Sequence, residues 1–270
     1  MNIEFLSSPQ NPKIKLIHEL YSAKGRKKEQ LFIVEGIREI SIAFQAGYKP
    51  KYIFINQEFI NKKNTHFLTS WKISEELIFQ IDSTVFSKIS YREDTEGILA
   101  VFEWKDHSLE HITLSNLPLI IVVESVEKPG NLGAILRTAD AAHVDAVVVC
   151  NPVIDLYNPN VVRSSIGCIF SVPVALATTT QTLHWLTQHE IKIYAAALQD
   201  AAFYYLQNFK TPTALVFGTE SQGLSQKWIQ HADKIIKIPM SGKIDSLNVS
   251  NAVAIITFEA MRQRGFISNG

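Results

Sequence analysis

Leu119-Ile-Ile-Val-Val-Glu124-Ser-Val-Glu-Lys-Pro129-Gly-Asn131-Leu-Gly133-Ala134-Ile-Leu-Arg137 is the stretch on which the architecture turns. Five consecutive apolar residues at 119–123 suit a strand covered on both faces. The Pro-Gly pair then turns the chain, and a helical pattern follows. This strand–loop–helix unit recurs downstream. Ala-Val-Val-Val-Cys at 146–150, Ile-Lys-Ile-Tyr-Ala at 191–195 and Ala-Leu-Val-Phe at 214–217 are further strand-sized apolar runs. Helices are predicted around them at 132–142, 159–166, 180–189 and 225–231. A last helix at 249–264 is apolar on nearly every side in its first half (Ala252, Val253, Ala254, Ile255, Ile256), so that half is expected inside. Strands and helices alternating in this way build a mostly parallel α/β sheet flanked by helices, with ligands taken at the carboxyl ends of its strands.

Upstream the pattern is mixed. A helix is predicted over 9–22, with Ile14, Leu16, Ile17 and Leu20 as its apolar set, then a strand at 31–34 and a helix at 36–46. A strand at 51–55, a short helix at 83–89 and a closing strand at 97–104 complete a small α/β domain. Residues 105–116 are polar and without period, and Pro118 follows. The expected division is therefore a first domain at 1–104, a linker at 105–117 and a second domain at 118–270.

The 270 residues leave room for two domains, and 46% hydrophobic with 19% charged residues is ordinary globular composition. Lys and Arg number 26, balanced by 26 Asp and Glu, so bulk charge names no partner. A nucleic-acid surface would have to be local, and Lys24-Gly-Arg26-Lys27-Lys28 is one such run. The first six residues lack the basic start and sustained apolar stretch of a secretory leader, and no apolar run approaches a membrane span. A cytoplasmic protein without a membrane segment is expected. Cys150 and Cys168 read as small buried residues of a reducing compartment, and the eight His are scattered, so no metal site is expected.

Three loops at predicted strand ends carry chemistry. In the first, Asn131 is placed as a helix N-cap, Gly133 and Ala134 permit close backbone approach, and Arg137 lies about 1.7 turns further on. Alone, this reads more readily as an ordinary capped helix with a surface arginine. The second, Gly218-Thr-Glu220-Ser-Gln-Gly223-Leu-Ser225, has the strand–glycine–helix layout of a nucleotide-binding turn. It carries no Lys, and Glu220 stands where a pyrophosphate would be repelled. NAD, FAD and ATP are thus disfavoured, while an adenosine with a positive sulfonium and no phosphate fits. A tight turn that needs its glycines for backbone reasons is the plain alternative. The third, Ile238-Pro-Met240-Ser-Gly242-Lys-Ile-Asp-Ser246-Leu247-Asn248-Val249-Ser250, leads from a strand ending at Pro239 into the buried last helix. Capping by Asn248 or Ser250 explains single residues but not the density of polar groups there, which a ligand would satisfy.

Taken in order, these segments resemble the three motifs of the SpoU (TrmH-type) branch of the SPOUT methyltransferase superfamily. The matching residues are Asn131-x-Gly133-x-x-x-Arg137, then Leu215-Val-Phe-Gly218-x-Glu220-x-x-Gly223-Leu-Ser225, then Ile238-Pro-Met-x-Gly242-x-x-x-Ser246-Leu247-Asn248-Val249-Ser250-x-Ala252. The resemblance spans about 118–264. It implies a trefoil knot, against the general scarcity of knots, a homodimer, and S-adenosyl-L-methionine bound beside the knot by Gly218, Ile238, Met240 and Leu247. It also implies a functional polar set of Asn131, Arg137, Glu220, Ser246 and Asn248. The first third resembles the ribosomal-protein-like RNA-binding domain of rRNA methyltransferases, through Phe32-Ile-Val-Glu35-Gly36-Ile-Arg38 and the preceding basic run. That likeness implies phosphate contacts from Lys24, Arg26, Lys27, Lys28 and Arg38; a solvated surface loop is the alternative. The implied activity is methylation of a ribose 2′-hydroxyl in structured RNA, ribosomal RNA favoured over transfer RNA. The competing expectations are a non-catalytic RNA-binding or ribosome-assembly protein, which the intact polar set argues against, and a dinucleotide-dependent oxidoreductase, which lacks its phosphate-friendly glycine loop.

Overall fold

In the computed structural model, residues 3–56, 58, 71, 73–91, 96–219 and 222–266 are described. Chain contacts divide it into two compact units, Met1–Lys105 with Asp155–Ser171, and Asp106–Ile154 with Val172–Gly270.

The first unit is built on a five-stranded sheet of β1 (Glu4–Leu6), β2 (Leu31–Glu35), β3 (Pro50–Ile55), β4 (Ile78–Ile81) and β5 (Ile98–Glu103), in the order β1-β4-β3-β5-β2. The first three neighbours are parallel, and β5 runs antiparallel to both β3 and β2. One face of this sheet, with Ile33, Phe54, Phe79, Leu99 and Val101, is covered by Ile14, Ile17 and Leu20 of helix Pro12–Leu20 and by Val85, Phe86 and Ile89 of helix Ser83–Ile89. Asn11 and Asp82 cap these helices by accepting from backbone N–H groups of the first turn. The basic run does not form a loop. It is helix Ala23–Glu29, capped by Ser22 and closed by Gln30 in the left-handed region at φ 55°.

An aromatic cluster gathers around Phe32, Tyr48 and Phe102, and two of its members come from Asp155–Ser171. Tyr157 stacks on Phe32 at 4.0 Å between ring centroids, and Phe170 meets Tyr48 edge-on at 5.1 Å. Gly167, at φ +89°, brings this segment against Ile42; a Cβ there would lie 2.7 Å from the Ile42 Cδ1. A stretch that follows strand 146–150 in sequence thus packs with the first unit.

The second unit holds β6 (Leu119–Glu124), β7 (Ala146–Cys150), β8 (Val174–Ala177), β9 (Lys192–Ala196), β10 (Ala202–Phe203), β11 (Thr213–Phe217) and β12 (Lys234–Lys237). Their order is β10-β12-β9-β11-β6-β7-β8, and each neighbouring pair is parallel. Every residue of β6, β7 and β11 is buried, which is why their sequences are continuous apolar runs. On one side Val122, Val148, Ile193 and Val216 pack with Leu183 and Leu186 of helix Thr179–Gln188 and with Trp228 of helix Gln226–His231. Elsewhere in the unit, helix Val249–Gln263 packs on helix Pro129–Ala141 and on β11.

Asn131 is not the N-cap that its position suggested. Lys128 is, with Pro129 in the first turn, where its fixed φ and missing N–H are tolerated. Residues 106–117 lie with the second unit: Leu109 is buried, and Leu176 N donates to His107 O at 2.7 Å along the edge of β8.

Candidate active site

The three loops leave the carboxyl ends of β6, β11 and β12, where a parallel sheet takes its ligands. Motifs one and three meet directly. Asn248 caps helix Val249–Gln263, its Oδ1 accepting from Ser250 N at 2.9 Å and Ser250 Oγ at 2.7 Å. Its Nδ2 donates to Asn131 Oδ1 at 3.2 Å. An amide serves both ends because it carries its acceptor and its donor on separate atoms, whereas a carboxylate has no donor to offer Asn131. Helix capping and the joining of two loops 117 residues apart are thus one side chain's work.

The second loop closes on itself. Thr219 N donates to Gly223 O at 3.1 Å, Gly223 N returns to Thr219 O at 3.0 Å, and Gln222 N reaches Thr219 Oγ1 at 3.0 Å. A Cβ on Gly218 would lie 2.1 Å from the Gly223 carbonyl carbon, and Gly223 itself is left-handed at φ +67°. Both glycines are therefore required by the turn. Glu220, expected in the functional set, lies outside the described residues.

In the third loop, no backbone group of 239–247 makes a backbone hydrogen bond among the described residues. Ser246 Oγ donates to Asp245 Oδ1 at 3.1 Å. Ile238, Met240 and Leu247 are half-buried beside these open amide and carbonyl groups. Uncharged backbone donors and acceptors flanked by apolar side chains suit the edge and faces of an adenine, and the sequence of the second loop carries no Lys or Arg for a pyrophosphate. The residues present fit S-adenosylmethionine.

Arg137 is exposed and makes no hydrogen bond or ion pair with another described residue. Six residues beyond Asn131, it projects about 120° away around the helix. Its guanidinium is therefore open to an incoming anion.

In the first unit, Lys24, Lys27, Lys28 and Arg38 are exposed. Lys28 pairs with Glu29 at 2.7 Å and Glu19 at 3.7 Å, and these carboxylates hold its pKa above the ordinary value. Arg26 departs from the expected RNA-contacting set. It is 1% exposed, with Nη1 donating to Leu20 O at 2.8 Å and Tyr21 O at 3.0 Å, and Nε to Asp155 Oδ2 at 2.5 Å. A guanidinium so engaged cannot reach a phosphate; Asp155, 129 residues along the chain, makes it a structural residue.

Sequence reasoning assigned no role to Glu124, which is buried at the end of β6 and accepts three hydrogen bonds. The available signal was a carboxylate ending a strand otherwise apolar throughout. Cys150 and Cys168 are both buried free thiols. No group of three or more metal-binding side chains occurs among the described residues.

Known proteins resemble the chain in both sequence and fold. The SpoU rRNA Methylase family model matches residues 118–258, just over half of the chain, and the MRM3-like substrate binding domain matches 11–100. A 23S rRNA (guanosine(2553)-2′-O)-methyltransferase of Bacillus subtilis is 28% identical over 94% of this chain and 97% of its own. A crystal structure of an RNA 2′-O ribose methyltransferase is 35% identical, with a TM-score of 0.83 over 96% of this chain and 99% of its own. An AdoMet-bound rRNA methyltransferase from Sinorhizobium meliloti superposes with a TM-score of 0.88 at 27% identity, over 96% of this chain and 98% of its own. With the ordered motifs, the parallel sheet and the joined loops in place, the chain belongs to the SpoU rRNA methylase family.

Proposed function

We propose that this protein is an S-adenosylmethionine-dependent methyltransferase that methylates a ribose 2′-hydroxyl in ribosomal RNA. The observation that carries the reading is the Asn131–Asn248 hydrogen bond, which joins motifs one and three at the ligand-binding end of the sheet while leaving Arg137 open. When bound, the cofactor supplies an electrophilic methyl group on its sulfonium.

The chain's own part is binding, orientation and charge. Gly218, Ile238, Met240 and Leu247 hold the cofactor through backbone groups and apolar contact. The Arg137 guanidinium, with its planar fork of donors, grips the phosphate beside the target ribose and stabilises negative charge developing on the 2′-oxygen. Ser246 passes on the hydroxyl proton, a role its hydrogen bond to Asp245 supports, and Asn131 and Asn248 fix the loops on either side. Aligning the ribose with the methyl group is itself a large part of the acceleration. Glu220 belongs to this set by its motif position.

The first unit recognises RNA, with Lys24, Lys27, Lys28 and Arg38 as its phosphate contacts. The second unit carries the trefoil knot and forms the homodimer; the exposed Ile255 and Phe258 on helix Val249–Gln263 support a self-association surface there. The working compartment is the cytoplasm, where ribosomal RNA is found; among the described residues no helix is long and apolar enough to cross a membrane.

The test is methyl transfer from labelled S-adenosylmethionine to unmodified ribosomal and transfer RNA, comparing wild type with Arg137→Ala. Label on a ribose of ribosomal RNA, located by nuclease digestion and mass spectrometry and lost in the variant, is the expected result. Absence of both transfer and cofactor binding would refute the reading and favour a non-catalytic RNA-binding protein.

A further inference from the structure

Glu124 is the last residue of β6 and 5% exposed. Burying a carboxylate costs free energy unless donors replace its water. Three do so. Ser225 N donates to Oε2 at 2.8 Å, Ser225 Oγ to Oε1 at 2.9 Å, and Thr179 Oγ1 to Oε1 at 2.7 Å. Among the described residues no Lys, Arg or His forms an ion pair with it. Among the described residues the carboxylate is held by neutral groups, two of them on Ser225, which ends the second loop.

The network continues. Asn151, left-handed at φ 47° just past β7, donates from Nδ2 to Thr179 Oγ1 at 2.9 Å and accepts from Thr179 N at 3.3 Å. Ser225, Glu124, Thr179 and Asn151 thus form one hydrogen-bonded chain along the carboxyl edge of the sheet. Its position matters for the second loop. That turn is bonded between Thr219 and Gly223, and its entrance follows directly from β11. Glu124 secures its exit. The same residue begins the first loop, since Ser125 follows at φ 52° and leads towards Asn131.

We propose that Glu124 is a positioning residue, whose buried carboxylate holds Ser225 and so fixes the exit of the second loop, which receives the cofactor. The inference rests on the methyltransferase reading above, because it concerns the loop that reading assigns to S-adenosylmethionine.

The donor pattern says which replacement should rescue. In Glu124→Gln, the amide oxygen can take the Oε2 position and accept from Ser225 N. Its NH2 then faces two hydroxyls, and both can rotate to accept. Glu124→Ala leaves Ser225 N and both hydroxyls without this acceptor. Ser225→Ala removes only the hydroxyl contact and keeps the backbone one.

The experiment titrates the full-length protein with S-adenosylmethionine in a calorimeter. Hydrogen exchange of the 218–225 amides and thermal melting are followed in the ligand-free proteins. Expected are about tenfold or weaker cofactor binding and faster exchange in Glu124→Ala, with Glu124→Gln within about threefold of wild type and Ser225→Ala between them. Should Glu124→Ala fail to fold, the other two variants decide: wild-type binding and exchange in Ser225→Ala would overturn the proposal. So would unchanged cofactor affinity in a folded Glu124→Ala. Failure of the wild-type protein itself to bind S-adenosylmethionine would instead refute the underlying functional reading.

Discussion

Replacing Asp155 by Ala should destabilise the first unit by about 3 kcal/mol, although the residue is distant in sequence from almost everything it supports. Arg26 is 1% exposed, and its Nε gives its hydrogen to Asp155. Removing one partner of a buried ion pair costs roughly 3–5 kcal/mol, because the remaining charge has lost its compensation. Two features pull the figure to the lower end. Arg26 keeps the Leu20 and Tyr21 carbonyls as acceptors, and the Asp155 side chain is 19% exposed, so water can reach the vacated place. One feature pulls the other way: Asp155 Oδ1 also accepts from Tyr157 N at 2.9 Å, a bond worth about 1 kcal/mol. At about 4 °C per kcal/mol, the first unit's melting transition should fall by about 12 °C. Differential scanning calorimetry of the full chain measures this. Arg26→Met provides the control, since it fills the buried space without a charge and leaves Asp155 beside solvent. It should fall less than Asp155→Ala, and its RNA binding should keep the wild-type salt dependence because no phosphate contact is lost. An Asp155→Ala transition within about 2 °C of wild type, or a larger drop in Arg26→Met, would refute the argument.

Asn248→Ser should separate two roles of one side chain. Serine still caps helix Val249–Gln263 but cannot reach Asn131, so stability should hold within about 0.5 kcal/mol while methyl transfer falls about tenfold or more; wild-type turnover would dissociate the loop junction from function. Burial pushes the Cys150 thiol up to about 12, with the Thr182 hydroxyl at 3.0 Å acting against that shift. At pH 8 roughly one molecule in ten thousand then carries the thiolate, so Cys150 should resist an aromatic disulfide reagent in the native protein and react once the protein is unfolded. Rapid native labelling at Cys150, located by peptide mapping, would contradict the burial.

What was legible in the sequence follows from how each feature is encoded. Strands β6, β7 and β11 are covered on both faces, and that environment leaves a run of apolar residues in the chain itself. Strand β4 carries no such run, since Gln80 interrupts it, and β8 is only four residues long, so pairing with β3 and β7 decides their structure. The motifs were readable because glycine, asparagine and arginine occur at fixed spacing. Their internal logic was not. Lys128 displaced Asn131 as the cap because Pro129 takes the first helical position, leaving Asn131 to accept from Asn248. Arg26 read as a member of a charged run because composition cannot show a carboxylate 129 residues away. Glu124 read as the start of a loop because its three donors, from Ser225 and Thr179, meet it only in the folded sheet.

The insertion of Asp155–Ser171 into the first unit also bears on the order of synthesis. On the ribosome, residues 1–105 emerge first, yet the rings of Tyr157 and Phe170 that cover Phe32 and Tyr48 are still to be made. The N-terminal unit therefore cannot finish folding as a separate early event; it waits until β6 and β7 have left the tunnel and the 155–171 segment can return to it. Loop-closure entropy grows only slowly with the length of the intervening chain, so the delay is chiefly one of translation time. A gene cut after residue 105 would yield a polypeptide with an uncovered aromatic face and an unpaired Arg26, and the remaining half would carry the missing pieces. The chain crosses between its units at 105, 154 and 171, which makes them inseparable parts of one nascent protein.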